Sequence, residues 1–252
     1  MRSFFNRAML LLVLVFIVAC STFPNSSTSP GNIKKSVTRL SELKIPLQAD
    51  PGGNIRWIEA KNGEFNDDAM GYLPGLPKLE WLEISKSTLS DMGLKYLKKC
   101  TGLKRLYIHD MNLEGEELAW ISSLTQLEAL ALQNTQIDGR FLKHLNSVET
   151  LKVLNLSGNR ITDDDMVQIA RFKNLEVLSL ANTKISGTGI KTLERMAHLN
   201  ELNIENCSVM DNDLSSFLTM PNLRIVYATG CKISNYAIGD IIARFPSLAI
   251  FL

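Results

Sequence analysis

The chain has 252 residues, 45% of them apolar, which is ample for a core and unlike a disordered chain. Its formal net charge of +1 excludes the strong basic or acidic balance that would point to nucleic acid or a charged surface as partner. The first element is an apolar run of 11 residues, Ala8 to Val18, preceded by Arg2 and Arg7. A membrane-spanning helix needs about 20 such residues, so this run predicts the core of a secretory leader.

The run ends in "IVAC", residues 17–20. That tetrapeptide resembles the lipobox of bacterial lipoprotein precursors, which implies residues 1–19 as signal peptide and lipid attachment, palmitate included, at Cys20. An ordinary secretory leader with an incidental Cys is the alternative. Ser21 follows the Cys; by the same resemblance, an Asp there would signal inner-membrane retention, so Ser favours the outer membrane. The implied localisation is the bacterial cell envelope, with the protein held at the membrane through the lipid on Cys20. Residues 20–32 are dominated by Ser, Thr, Pro, Gly and Asn and read as a flexible tether. Residues 33–53 place Ile33, Val37, Leu40 and Leu43 on one helical face and end in the turn "PGG", which predicts an N-terminal cap.

From residue 54 to 252 the chain repeats. Leu79, Leu103, Leu127, Leu151, Leu175, Leu199 and Leu223 are spaced by 24, and Ile55 extends the series backward. Forward, it lands on Leu248 after one inserted residue. Three further apolar columns keep step, those of Leu154, Leu156 and Ile161. The unit L-x-x-L-x-L-x-x-N/C-x-L followed by a short helix resembles the leucine-rich repeat family, and "LEVLSLANTKISGTGIKTL" (175–193) resembles its bacterial T-x-I-x-D-x-G-L variety. The resemblance implies an α/β leucine-rich repeat solenoid, or horseshoe, of eight repeats and a terminal strand. Its parallel sheet forms the concave face and its short helices the convex face.

Within a repeat, Leu154 and Leu156 alternate with Asn155 and Ser157 as a strand requires. Asn159 falls where the chain leaves the sheet, in a column of Gly63, Ser87, Met111, Thr135, Asn159, Thr183, Cys207 and Cys231. Small polar side chains there can satisfy backbone groups trapped between coils, and Met111 predicts a break in that ladder. Thr162 is a helix N-cap followed by Asp163 to Asp165, and Asn66, Ser90, Asp138, Ser186 and Ser234 fill the same column. Cys100, Cys207 and Cys231 lack metal-ligand spacing and are expected as free, buried thiols.

No catalytic or metal site and no cofactor is expected. His109 stands beside Asp110 on the strand face, but no Ser or Cys nucleophile is placed with them, so a solvated pair is favoured. His144 and His198 fall on the convex half. The outward strand columns bring Trp57, Trp81, Arg105, Tyr107 and His109 onto neighbouring coils, the residue types of binding hot spots. Two arrangements fit: an exposed Trp pair that binds a partner, or a cap that folds over Trp57 and Trp81 and makes them core. The functional expectation is a non-catalytic scaffold that binds a protein or envelope component through its concave surface. The alternative is a structural or assembly subunit acting through its open C-terminal edge, where Leu248, Ile250 and Phe251 invite self-association.

Overall fold

The computed structural model describes residues 30–113 and 115–252, so the leader, Cys20 and most of the tether lie outside the described residues. Each 24-residue unit contributes one strand. After β1 (Leu47–Ala49) come β2 (Ile55–Ala60), β3 (Trp81–Ser85), β4 (Arg105–His109), β5 (Ala129–Ala131) and β6 (Val153–Asn155). β7 (Val177–Ser179), β8 (Glu201–Asn203), β9 (Ile225–Tyr227) and β10 (Ala249–Phe251) complete one ten-stranded sheet in sequence order. β2 to β10 are parallel, each residue opposite its counterpart 24 earlier, as Leu130 is to Leu154. The register stays at 24 in β10 as well, where Ile250 faces Val226, so no residue is inserted between these coils, contrary to the sequence reading, and Leu248 lies one place past the counterpart of Leu223.

The inward columns make one continuous core. Leu154, Leu156 and Ile161 are fully buried, as are Met166 and Ile169 on the return side, and the cluster runs from Leu40 to Leu248. That side consists of short α-turns, such as Met166–Ile169 and Gly187–Lys191, mixed with 3-10 segments such as Gly139–Leu145. A 3-10 turn rises about 2.0 Å per residue against 1.5 Å for an α-helix. It therefore spans the return with few residues. Strands stack at ~4.8 Å while helices need 8–10 Å between axes, so the strand face is the inner side of the curve.

The capping column behaves as its residue types require. Asn66, Ser90, Asp138, Ser186 and Ser234 each accept a hydrogen bond from a backbone N–H of the following turn, at 2.9–3.4 Å. Thr162 is held differently: its N–H and hydroxyl both donate to Asp165, at 2.9 and 3.0 Å. The first acid of the run reaches the next coil, where Asp163 accepts from the Ser186 N–H at 2.8 Å and hydroxyl at 2.5 Å. Asp67 with Ser90 and Asp211 with Ser234 repeat that bridge. A second column went unread in the sequence. Asn62, Lys86, Asp110, Asn134, Gly158, Asn182, Asn206 and Gly230, each 24 apart, all have positive φ. This left-handed residue follows each strand from β2 to β9, and Asn, Asp or Gly holds seven of the eight places because they tolerate it best.

The buried ladder runs from Thr135 to Cys231. Asn159 accepts from the Thr135 N–H at 3.0 Å and donates to the Leu132 and Leu156 carbonyls at 2.6 and 3.0 Å. Thr183 donates to the Leu180 carbonyl. Cys207 and Cys231 donate across the coil boundary to the carbonyls of Leu180 and Ile204, at 3.2 and 3.1 Å. Met111 is buried without such a rung, which is the expected break.

At the N-terminus the cap differs from the sequence reading in two ways. Its helix begins at Pro30, so it takes in residues 30–32 of the segment read as tether. It also ends in a strand, β1, antiparallel to β2 with Gln48 opposite Trp57. The sheet edge that β2 would expose is thereby paired. Leu40 enters the core, and Val37 and Leu43 pack against it.

All three described cysteines are free, with Cys100 and Cys207 buried. Cys231 is half-buried, contrary to expectation, though it still donates to the Ile204 carbonyl at 3.1 Å. Burial pushes the Cys100 thiol up to about 12 and raises Cys207 and Cys231 as well. Native protein treated with a thiol reagent is therefore expected to modify Cys231 first and Cys100 only on unfolding. Equal rates at all three would refute the ladder placement.

Candidate binding wall on the strand face

Strand register places Trp57, Trp81 and Arg105 side by side, and Glu59, Glu83 and Tyr107 beside them. The rings of Trp81 and Tyr107 meet edge to face at 5.6 Å between centroids and 82°. The Arg105 guanidinium carbon lies 5.6 Å from the Trp81 ring centre, a cation–π distance. Trp81, Tyr107, Ala129, Ala131 and Val153 form a second apolar cluster, separate from the core, against which Trp57 and Val177 pack.

The expected residues thus come together, but not as an exposed Trp pair. Trp81 is 7% exposed and Tyr107 5%, while Trp57, Arg105 and His109 are half-buried. No apolar cap residue joins the cluster, and the cap meets it only at its edge, where β1 sets Gln48 opposite Trp57. Coils ~4.8 Å apart bring large side chains on adjacent strands into contact, so they bury one another. Trp57 and Arg105 therefore form the more accessible layer of the cluster, over the buried Trp81 and Tyr107. Trp81 carries a defect: its Nε1 is buried with no hydrogen-bond partner.

His109 is less simple than a solvated pair. Its Nδ1 lies 3.2 Å from Asp110 and its Nε2 3.3 Å from Glu83. Lys61 reaches both Glu59 and Glu83 at 3.3 Å, and Asn134 donates to Asp110 at 2.8 Å. Burial is the largest influence on His109 and disfavours its charge, but the bonds to Glu83 and Asp110, with their charges, outweigh it and raise the pKa. Glu83 mirrors this: burial acts against ionisation most strongly, yet His109 and Lys61 together lower its pKa. Only the Asp110 contact was foreseen. Glu83 stands 26 residues away, and the signal was its place one coil back and one alternation over.

A pH dependence follows. A raised His109 pKa means its ionic contribution is fully present below the unfolded value of ~6.5 and is lost as pH rises through the folded value. A lowered Glu83 pKa means its contribution is present above ~4.3 and is lost as pH falls through the folded value. NMR titration is expected to show His109 protonating above the ordinary His range, and Glu83→Gln to bring it down. An unchanged His109 titration in that variant would refute the pairing.

The outward column of Asn155, Ser179 and Asn203 is polar and hydrogen-bonded. Asn155 donates to Gln133 at 2.9 Å and accepts from the Ser157 N–H, and Ser157 and Ser179 share a hydrogen bond of 2.7 Å. Asn203 accepts from the Glu205 N–H at 2.9 Å. Among the described residues no three His, Cys, Asp or Glu side chains gather as a metal ligand set. His144 is half-buried and His198 exposed, both on the return side of the coil.

A family profile described as "Leucine rich repeat" matches residues 149–209. No curated protein matches the chain. Among solved structures it is similar to internalin C2 of Listeria monocytogenes, with TM-score 0.57, 22% identity, and coverage of 79% of this chain and 80% of that one. A second Listeria internalin, inlF, gives a TM-score of 0.52 at 18% identity, covering 72% of this chain and 56% of its own. A leucine-rich repeat protein of Leptospira interrogans gives 0.50 at 20%, covering 72% and 51%. The chain spans only about half the length of these last two. The 24-residue period, the in-register parallel sheet and these likenesses agree: the protein has the leucine-rich repeat fold, a solenoid with strands on one face and short helices on the other.

Proposed function

We propose that the protein is a bacterial envelope lipoprotein, anchored through lipid on Cys20, that binds another protein on its strand wall and performs no catalysis itself. The observation that carries the binding reading is the second apolar cluster, Trp57, Trp81, Tyr107 and their neighbours, on a sheet face that no described helix covers. A solenoid needs one core between sheet and helices, and a separate cluster with Arg105 stacked on it has the composition of an interface centre. The anchoring reading is supported by the short apolar run, "IVAC" and Ser21, the last favouring the outer membrane.

Both halves have direct tests. A photo-crosslinking amino acid in place of Trp57 is expected to give discrete protein adducts in intact cells, and the same group in place of Lys191, on the helix side, none. Equal adducts from both positions would remove the wall as the site. Metabolic labelling with an alkyne fatty acid is expected to mark the wild type and spare Cys20→Ala, with the variant leaving the detergent phase. Label retained in Cys20→Ala would end the lipoprotein reading.

A further inference from the structure

The column of Trp57, Trp81 and Arg105 continues along the wall as Ala129, Val153, Val177, Glu201 and Ile225. Glu201 does not belong there by packing. Its partners in register are Val177 and Ile225, both branched and apolar. The side chain is half-buried, and among the described residues no hydrogen bond or ion pair reaches its carboxylate. Burial alone raises its pKa, with no neighbouring charge contributing. The buried polar residues beside it, Asn155, Ser179 and Asn203, are all hydrogen-bonded. A partly desolvated carboxylate without a counter-ion is a standing cost that the Val and Ile of neighbouring coils avoid.

The surroundings suit a cation. Tyr227 sits one strand over and one alternation along from Glu201, within reach of a long side chain. Its ring stacks on Phe251, at 5.2 Å between centroids and 20° between planes. Glu205 lies on the same coil, its carboxylate 3.3 Å from the Asn203 amide nitrogen. A guanidinium or ammonium group finds here what it needs, a carboxylate short of a counter-ion and an aromatic surface.

We propose that this end of the wall is a subsite for a basic side chain, a lysine or arginine of the bound protein, with Glu201 as counter-ion and the Tyr227–Phe251 stack beside it. The inference rests on the reading of the wall as a protein-binding surface and adds the chemistry of what binds. It makes Glu201 a residue that weakens the free protein and strengthens the complex.

The test uses the full-length protein in detergent micelles and random dodecapeptides displayed on phage. Selection is run on the wild type, Glu201→Gln, Glu201→Lys and a Trp57→Ala/Arg105→Ala double variant. Peptides retained by the wild type and released by the double variant are expected to be enriched in Lys or Arg. Their affinity should fall about tenfold in Glu201→Gln, and Glu201→Lys should shift the preference to Asp or Glu. The melting temperature of Glu201→Gln is expected at or above that of the wild type. Wall-dependent peptides with no basic preference and unchanged affinity for Glu201→Gln would overturn the subsite and leave the wall reading intact. Peptides indifferent to every variant would overturn both. A clearly lowered melting temperature in Glu201→Gln would make Glu201 a structural residue and also overturn the subsite.

Discussion

Asn159→Ala is expected to cost ~2–4 kcal/mol, among the largest losses available to a single polar residue in this protein. Asn159 is 5% exposed, and its amide makes five hydrogen bonds. Alanine leaves the Thr135 N–H facing the core without its acceptor, the Asn159 side-chain carbonyl. An orphaned buried group costs about 1–3 kcal/mol, and the vacated volume adds to it. For a chain of this size each kcal/mol lowers Tm by roughly 2–4 °C. In a solenoid the loss also has an address, since each coil contacts only its neighbours. Amide exchange should quicken first around Thr135 and Asn159. Asn159→Thr puts into the column the residue already present at Thr135 and Thr183, and is expected to recover part of the loss. A cost below ~0.5 kcal/mol for Asn159→Ala would mean that the rung is not needed.

Trp81→Ala is expected to cost ~3 kcal/mol, a figure typical of a large aromatic lost from a packed site. The reason is the wall cluster itself: the indole meets Tyr107 edge to face, carries Arg105 on its ring and is 7% exposed. Trp81→Phe separates packing from polarity. It keeps most of the ring contact and removes an indole N–H that is buried without a partner. Its cost should stay within about 1 kcal/mol, because an unsatisfied donor is lost along with the contact area. Chemical denaturation of both variants reads this directly. Equal losses in Phe and Ala would show that the ring does not stabilise the wall.

The two results bear on function differently. Trp81 supports the wall, so any binding lost in Trp81→Ala is confounded with stability. Trp57 and Arg105 are half-buried, so on the proposed reading of the wall they are the positions at which binding can be tested. Glu201 is expected to show the reverse behaviour to Trp81, with binding lost while stability is kept.

Much of the architecture was legible in the chain itself. A 24-residue spacing from Leu79 to Leu223 sets one strand per coil, because a solenoid can keep only one register when every inward residue must meet its counterpart in the next coil. The cap column, from Asn66 to Ser234, was equally readable, since an N-cap bonds within its own turn and needs no tertiary context. The break at Met111 was readable from residue type, because a thioether carries no donor to offer the backbone groups between coils. The left-handed column from Asn62 to Gly230 was present in the sequence but went unread.

What the tertiary structure decided depends on distances between coils. Composition placed Trp57 and Trp81 on one face, but whether they stood exposed or buried depended on how closely side chains on adjacent strands approach. At strand spacing they cover each other, so Trp81 is buried among its own wall neighbours, with no apolar cap residue in the cluster. The pairing of His109 with Glu83 and the strand β1 that closes the sheet edge arise in the same way, from contacts between segments that no local pattern links. Periodicity determined the fold because it is the same in every coil. The wall differs from coil to coil, and its burial and charge pairing took shape only when the coils were stacked.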